Sequence, residues 1–381
     1  MTNFIYRHYR KGDEEDLADL FNRAFQQGGA GFVRTPKSWY WRYVQSPGFD
    51  PEMCQIAEDP TTNKIIGAVY SNLIEIIPLD GKKYLVGDIN DVSCHPDYVK
   101  QGVATSLMKN AIKYMQKRGC SFSILSANYK GFPMRKIYER LGYHVFRKEL
   151  RFIQFPCIMR LIRDVWGLAI FIPLLFTLSY LPRYLNRIKL RLSHTLKDFT
   201  YEINYNCKHL EYIKAVNHII SKYYEGYAKS NTSKLRWARI KVPCKRFRPT
   251  YILIKKGERI IGGAVMTHQN IYFFKYGIKI RIGLIHEIFL DKDKFNNKED
   301  LYLGYTYLID KIMRATTRRH LGVLLFKTTL GDTDLIEALR RSSFLKIQDT
   351  GAMVKELKND VKFHDIKKPL FIPTYVTLGF P

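Results

Sequence analysis

The stretch "DINDVSCHPDYVKQGVATSLMKNAI" (residues 88–112) decides how the chain reads. It begins as a strand, turns through a polar segment containing Pro96, and passes a lone glycine, Gly102, into an amphipathic helix expected over 102–118. A turn that opens directly into a helix aims backbone N–H groups and the positive end of the helix dipole at one point, which suits a phosphate. A plain strand-to-helix connection has the same outline, so the surrounding sequence has to decide.

Upstream, residues 3–9 read as a strand and "GDEEDLADLFNRAF" (12–25) as a helix whose acids suit its N-terminus. "PKSWYWRYV" is a short helix starting at proline. "CQIAED" and "KIIGAVYSNLIEII" are strands around the turn "PTTN", and "KKYLVGDINDVSC" is the strand that enters the decisive stretch. Downstream follow a buried strand "SFSILSA", a helix "FPMRKIYERLG" and closing strands in "YHVFRKELRFIQF". Residues 1–155 are therefore expected to form one mixed α/β domain.

The second half repeats the first. "FIYRHY" (4–9) is echoed by "FTYEIN" (199–204), and Trp41 with Pro47 by Trp237 with Pro243. "IIGAV" (65–69) is echoed by "IIGGAV" (260–265), with 26 residues from tryptophan to the glycine before Ala-Val in both copies. From that glycine to Asp91 or Glu287 is 24 residues in both. Matched spacings of this extent predict a tandem duplication, with domains 1–155 and 198–381 and a linker over 156–197.

That linker contains "VWGLAIFIPLLFTLSYLP" (165–182), an uncharged run with basic residues on both sides. Burial between the domains is the preferred expectation. Peripheral membrane contact through residues 160–191 is the alternative, and a full span the least favoured. The net charge of +27 is uneven: residues 1–150 hold 21 Lys and Arg against 16 Asp and Glu, and residues 151–381 hold 41 against 19. The basic half points to an anionic partner. The six cysteines show no metal-ligand or redox spacing, so no metal is expected. The N-terminus lacks an apolar signal segment, which makes the cytoplasm the expected compartment.

The decisive stretch, then "SILSAN" (123–128) and "IYERLGY" (137–143), resembles the ordered core of the GNAT superfamily of acyl-CoA-dependent N-acyltransferases. The resemblance implies an α/β (α+β, mixed-sheet) fold, here as two tandem GNAT-like domains joined by the apolar and basic linker. It implies acetyl-CoA as cosubstrate, with the diphosphate held by Val99, Lys100, Gln101, Gly102, Val103, Ala104 and Thr105. Val99 departs from the family, which has Arg or Gln there. The main chain of Val92, Ser93 and Cys94 would meet the pantetheine arm and polarise the thioester carbonyl. Asn128 matches an asparagine contacting that arm, and Tyr138 the tyrosine that protonates the departing thiolate.

An amine attacks directly, so a base is needed and a covalent enzyme intermediate is not. Asp88 and Asp91 are the candidates; three residues apart on a strand, they are expected on opposite faces, with Asp88 slightly preferred. His95 reads as a turn-shaping residue. In the second copy the position matching Gly102 is Lys298, within "KFNNKEDLYLGY", and Leu339 stands where Tyr138 does. That copy is read as degenerate, shaping the acceptor site. The expected function is transfer of an acetyl group to a primary amine of a small molecule; the positive charge favours an anionic acceptor such as a nucleotide-linked amino sugar. The competing reading is a non-catalytic adaptor that holds an anionic surface or nucleic acid through the basic C-terminal half, although no nucleic-acid recognition motif is present.

Overall fold

The computed structural model describes residues 3–358 except 27–28, 80–81, 130, 132, 205–208, 225–227, 229–231, 240–241, 244–248 and 330. In the first half, strand β1 (Ile5–His8) leads to helix α1 (Glu14–Gln26), a two-residue strand β2 (Ala30–Gly31) and helix α2 (Pro36–Arg42). Acids Glu14, Glu15 and Asp16 fill the first turn of α1, where the helix dipole favours them. A reciprocal Thr35–Ser38 capping box and Pro36 start α2. Three antiparallel strands follow: β3 (Cys54–Asp59), β4 (Lys64–Leu79) and β5 (Lys82–Cys94). Helix α3 (Val103–Lys117), strand β6 (Phe122–Asn128), a π-turn at Met134–Tyr138 and strand β7 (His144–Gln154) complete the half.

After helices α4 (Ile158–Asp164) and α5 (Ile172–Leu192), the same succession runs again. Strand β8 (Phe199–Asn204), helices α6 (His209–Tyr223) and α7 (Thr232–Arg239), and strands β9 (Thr250–Lys256), β10 (Arg259–Phe273) and β11 (Ile278–Leu290) come first. Helix α8 (Lys298–Arg318), strand β12 (Val323–Thr329), helix α9 (Thr333–Arg341) and strand β13 (Leu345–Glu356) follow.

All the long strands join one sheet in the order β1-β3-β4-β5-β6-β13-β7-β12-β11-β10-β9-β8. Among the described strand pairs only β5–β6 and β11–β12 are parallel. The closing strands are exchanged: β13 pairs with β6 of the first half, while β7 pairs with β12 of the second. At the centre β7 and β13 pair with each other. Asn128 pairs with Thr350, and Glu149 with Thr329. Position 128 maps onto 329 and 149 onto 350 by one offset, the 201 residues that also separate Glu149 from Thr350 across the central pair. The two halves therefore meet about a local two-fold axis. Trp41 of α2 and Trp237 of α7, 196 residues apart, stack with ring centroids at 5.3 Å. Each indole N–H donates to the other's carbonyl, at 3.3 and 2.8 Å. A contact in which residue i meets j and j meets i is the mark of a two-fold.

Helix α3 covers one face of the first half. Gly67 and Gly87 admit it: a Cβ at Gly87 would fall 1.9 Å from Met115 Sδ. Helices α1 and α2 cover the other face and seal the core with Leu17, Leu20, Trp39 and Trp41. The expectation that the apolar run lies buried between the halves is not met. Trp166 and Ile170 are each 79% exposed, and Phe171, Leu174, Phe176 and Leu181 are exposed too. The halves are joined by the shared sheet and the tryptophan pair, which leaves no interface for α5 to fill.

Candidate active site

Strand β5 carries the site. Its parallel pairing with β6 covers only Val86–Ile89 against Phe122–Leu125, while β6 stays paired to β13 through Asn128. Beyond Ile89 the two strands diverge, and the backbone of residues 90–94 turns one edge into the opening. Val92, Ser93 and Cys94 line that edge, paired on their other side to β4 through Ala68↔Ser93 and Gly67↔Cys94. An extended arm with amide groups can add there as a strand would.

The opening leads to the turn singled out in the sequence. His95 accepts from the Asp97 N–H at 3.4 Å and starts a short 3-10 turn over Pro96–Tyr98, so it shapes the turn as expected. Val99, Lys100, Gln101 and Gly102 are exposed. Lys100 and Gly102 both adopt positive φ, 69° and 84°. Gly102 is the N-cap of α3 and has no side-chain cap. The first-turn N–H groups of Val103, Ala104 and Thr105 have no acceptor within the helix, and a Cβ on Gly102 would meet nothing within 4 Å. The cradle is a set of bare amides at a helix N-terminus, open to an anion.

The two aspartates are not on opposite faces. Tyr70 pairs with Asn90 and Ala68 with Ser93, so two residues of β5, Asp91 and Val92, stand opposite Val69 alone. This bulge, with Asp91 at φ 51°, carries Asp91 to the side of α1 and α2. There Arg34 bonds it closely and Arg42 lies 3.5 Å away. Arg34 also donates to the Tyr43 hydroxyl at 2.6 Å and stacks over Phe21 at 3.6 Å. Burial acts to raise the Asp91 carboxyl, but the two guanidinium groups hold it below the usual range. Asp91 is a fixed anion. Neither arginine was anticipated; the only signal was Arg42 lying within the aromatic helix "SWYWRYV".

Asp88 differs. It sits at the vertex of the opening, buried, with the Asn90 Nδ2 donating to it at 2.7 Å. Burial pushes its carboxyl up to about 7, offset in part by Asn90, Lys327, Arg42 and Lys234. Lys327 of β12 and Lys234 of α7 come from the second half. Burial in turn draws Lys234 down to about 8.

Tyr138 ends the π-turn and is buried, its ring edge-to-face with Tyr143 at 6.3 Å. Burial pushes its hydroxyl up to about 12, so it keeps its proton at neutral pH. Asn128 lies exposed at the end of β6, its carbonyl accepting from the Gly131 N–H at 2.9 Å. No cluster of metal-ligating side chains occurs among the described residues.

The matching place in the second half is closed. Helix α8 is capped by Asn297, whose side chain accepts from the Asp300 N–H at 2.9 Å, and Glu299 and Asp300 occupy its first turn. A diphosphate would meet two carboxylates and an acceptor already in place. Leu339 is fully buried in α9. The basic segment at 239–248 lies largely outside the described residues.

A splayed parallel strand pair, a bulge at its mouth and an uncapped helix beyond it are the features of an acyltransferase-type fold. Residues 5–146 match the acetyltransferase (GNAT) domain family. Among solved structures it is similar to the N-myristoyltransferase of Saccharomyces cerevisiae with bound myristoyl-CoA, at 13% identity and a TM-score of 0.68, over 93% of this chain and 83% of that one. It is also similar to a GCN5-related N-acetyltransferase from Anabaena variabilis, at 11% identity and a TM-score of 0.59, over 93% and 73% of the two chains. At such identities the likeness speaks to fold. No curated protein matches the chain in sequence.

Proposed function

We propose that the chain is an N-acetyltransferase that moves an acetyl group from acetyl-CoA to a primary amine. The observation that carries this reading is Asp88: a carboxyl raised to about 7 at the vertex of the opening between β5 and β6. A base whose pKa lies near the working pH is both largely ionised and strong enough to take an ammonium proton. In this reading the diphosphate lies on the amides of residues 99–105 and the pantetheine arm along Val92–Cys94. The amine, deprotonated through Asp88, attacks the thioester carbon. The carbonyl oxygen gathers charge against the main-chain N–H groups of the strand. Collapse expels the thiolate, which takes the Tyr138 proton, and the proton still on the new amide nitrogen leaves through water to restore the Tyr138 hydroxyl.

Lys234 and Lys327, the latter paired with Glu149 at 2.8 Å, bring positive charge of the second half towards Asp88 and favour an acceptor that carries an anionic group.

The test is titration calorimetry with acetyl-CoA and with myristoyl-CoA, followed by turnover against a panel of amines. Gly102→Glu places a carboxylate and a strained φ at the cradle and should weaken acetyl-CoA more than roughly tenfold. Asp88→Asn should keep cofactor binding and lose roughly 10²–10⁴ in kcat. Wild-type protein that binds neither thioester sinks the reading. Tighter myristoyl-CoA binding would replace acetyl by a long acyl group.

A further inference from the structure

Helix α5 is amphipathic the wrong way round for a soluble protein. Its polar residues face the protein. The Ser179 hydroxyl donates to Phe155 O at 2.7 Å and is fully buried, and Arg183 donates to Pro156 O at 3.1 Å. Asn186 donates to Arg341 O at 3.0 Å, and Arg187 pairs with Asp310 at 2.9 Å. Its apolar residues face outward. Leu174, Leu178, Leu181, Leu185, Ile188 and Leu192 are all exposed, from 38% to 73%. At about 100° per residue their spacing of three and four places them in one stripe, roughly 27 Å long at about 1.5 Å per residue. Towards the N-terminal end the exposed apolar surface widens beyond the stripe to Trp166, Phe171, Ile172 and Phe176.

We propose that this face docks the protein on an anionic phospholipid surface, with α5 lying in the interface. The commitment to lipid rests on charge. Between Asp164 and Asp198 there is no acidic residue. Lys189 and Arg191 are exposed and border the stripe on either side, placed to reach headgroups while their stems follow the apolar surface. Trp166, at the N-terminal edge, is a residue that favours the membrane interface. A second copy of the chain fits less well, because its stripe brings the same cations and no acid in either orientation. A transmembrane course is excluded by the sheet: β7 before the helix and β12 and β13 after it are hydrogen-bonded neighbours and lie on one side. The proposal is independent of the acyl-transfer reading.

Fluorescence makes the test direct. Of the four tryptophans, Trp39, Trp41 and Trp237 are buried, so a shift in emission reports Trp166. Mixed phosphatidylcholine–phosphatidylglycerol vesicles should shift wild-type emission to the blue and carry the protein in flotation; phosphatidylcholine alone should do so weakly. Trp166→Phe should float without the shift. Leu174→Glu/Leu181→Glu/Leu185→Glu should stay with the soluble fraction while its thermal unfolding is unchanged, since those side chains touch solvent. Lys189→Ala/Arg191→Ala should lower partitioning onto anionic vesicles by roughly 30-fold, at roughly five-fold per cation. Wild-type protein that ignores both vesicle types overturns the proposal. So does a chain that is dimeric by light scattering, dissociates on the leucine substitutions and binds no vesicles; the second copy would then be the occupant.

Discussion

Asp88 and Asp91 share a strand and a helix-covered face, yet each meets different neighbours. Asp91 sits against two guanidinium groups and stays ionised; Asp88 has one side-chain amide at hydrogen-bond distance and more distant cations, and burial governs it. A rate limited by the Asp88 base should rise tenfold per pH unit below about 7 and level off above it. Stability should move the opposite way. A carboxyl raised from 3.8 to about 7 on folding contributes fully below 3.8, and that contribution is lost as pH rises through about 7. Asp88→Asn should therefore gain on wild type between pH 5 and pH 8, by roughly 2–3 kcal/mol. Urea unfolding of both proteins at the two pH values measures it, and comparison of the pair cancels Glu287, whose carboxyl burial also pushes up, to about 8. An unchanged difference would mean that Asp88 is ionised across the range.

At the scale of elements, the two halves end their helices alike. Gly119 and Gly142 close helical turns of the first half with φ of 76° and 85°; His320 and Ser343, at the same offset as Glu149 and Thr350, take φ of 52° and 63°. A side chain in this left-handed region strains the backbone, and glycine relieves it. His320→Gly and Ser343→Gly should each stabilise the fold by about 0.5–1 kcal/mol in urea unfolding; no gain at either site would show that the turns are held by other contacts. The helices themselves were legible in sequence, because capping residues, acidic first turns and apolar spacing are local signals. So was the cradle turn, fixed by a single glycine between strand and helix. The bulge at Asp91 was not legible: alternation assumes an unbroken pleat, and nothing local in "DINDVSC" announces an extra residue. Nor was the setting of α5, since an apolar run has the same composition whether it faces a core, a lipid or water.

For the whole molecule, the repeat in the sequence announces two matching halves but not which strand closes which sheet. Strand patterns show which side chains face the core and leave the choice of edge partner open. The exchange of β7 and β13 makes that choice consequential. Residues 1–155 alone end β6 in an unpaired edge and present β7 with no sheet of its own half beside it. Expressed separately, 1–155 and 198–381 should each be largely insoluble, and co-expression should recover soluble complex. A soluble, cooperatively melting 1–155 fragment would show that β7 can fold back onto β6. The same exchange sets a clock during synthesis. Strand β6 leaves the ribosome some 220 residues before the strand that completes it, a wait of roughly 11 to 44 s at about 5–20 residues per second. Throughout that interval a seven-residue strand, four of its residues destined for burial, offers a bare edge. A chain built this way should depend on holdase chaperones more than its finished stability would indicate.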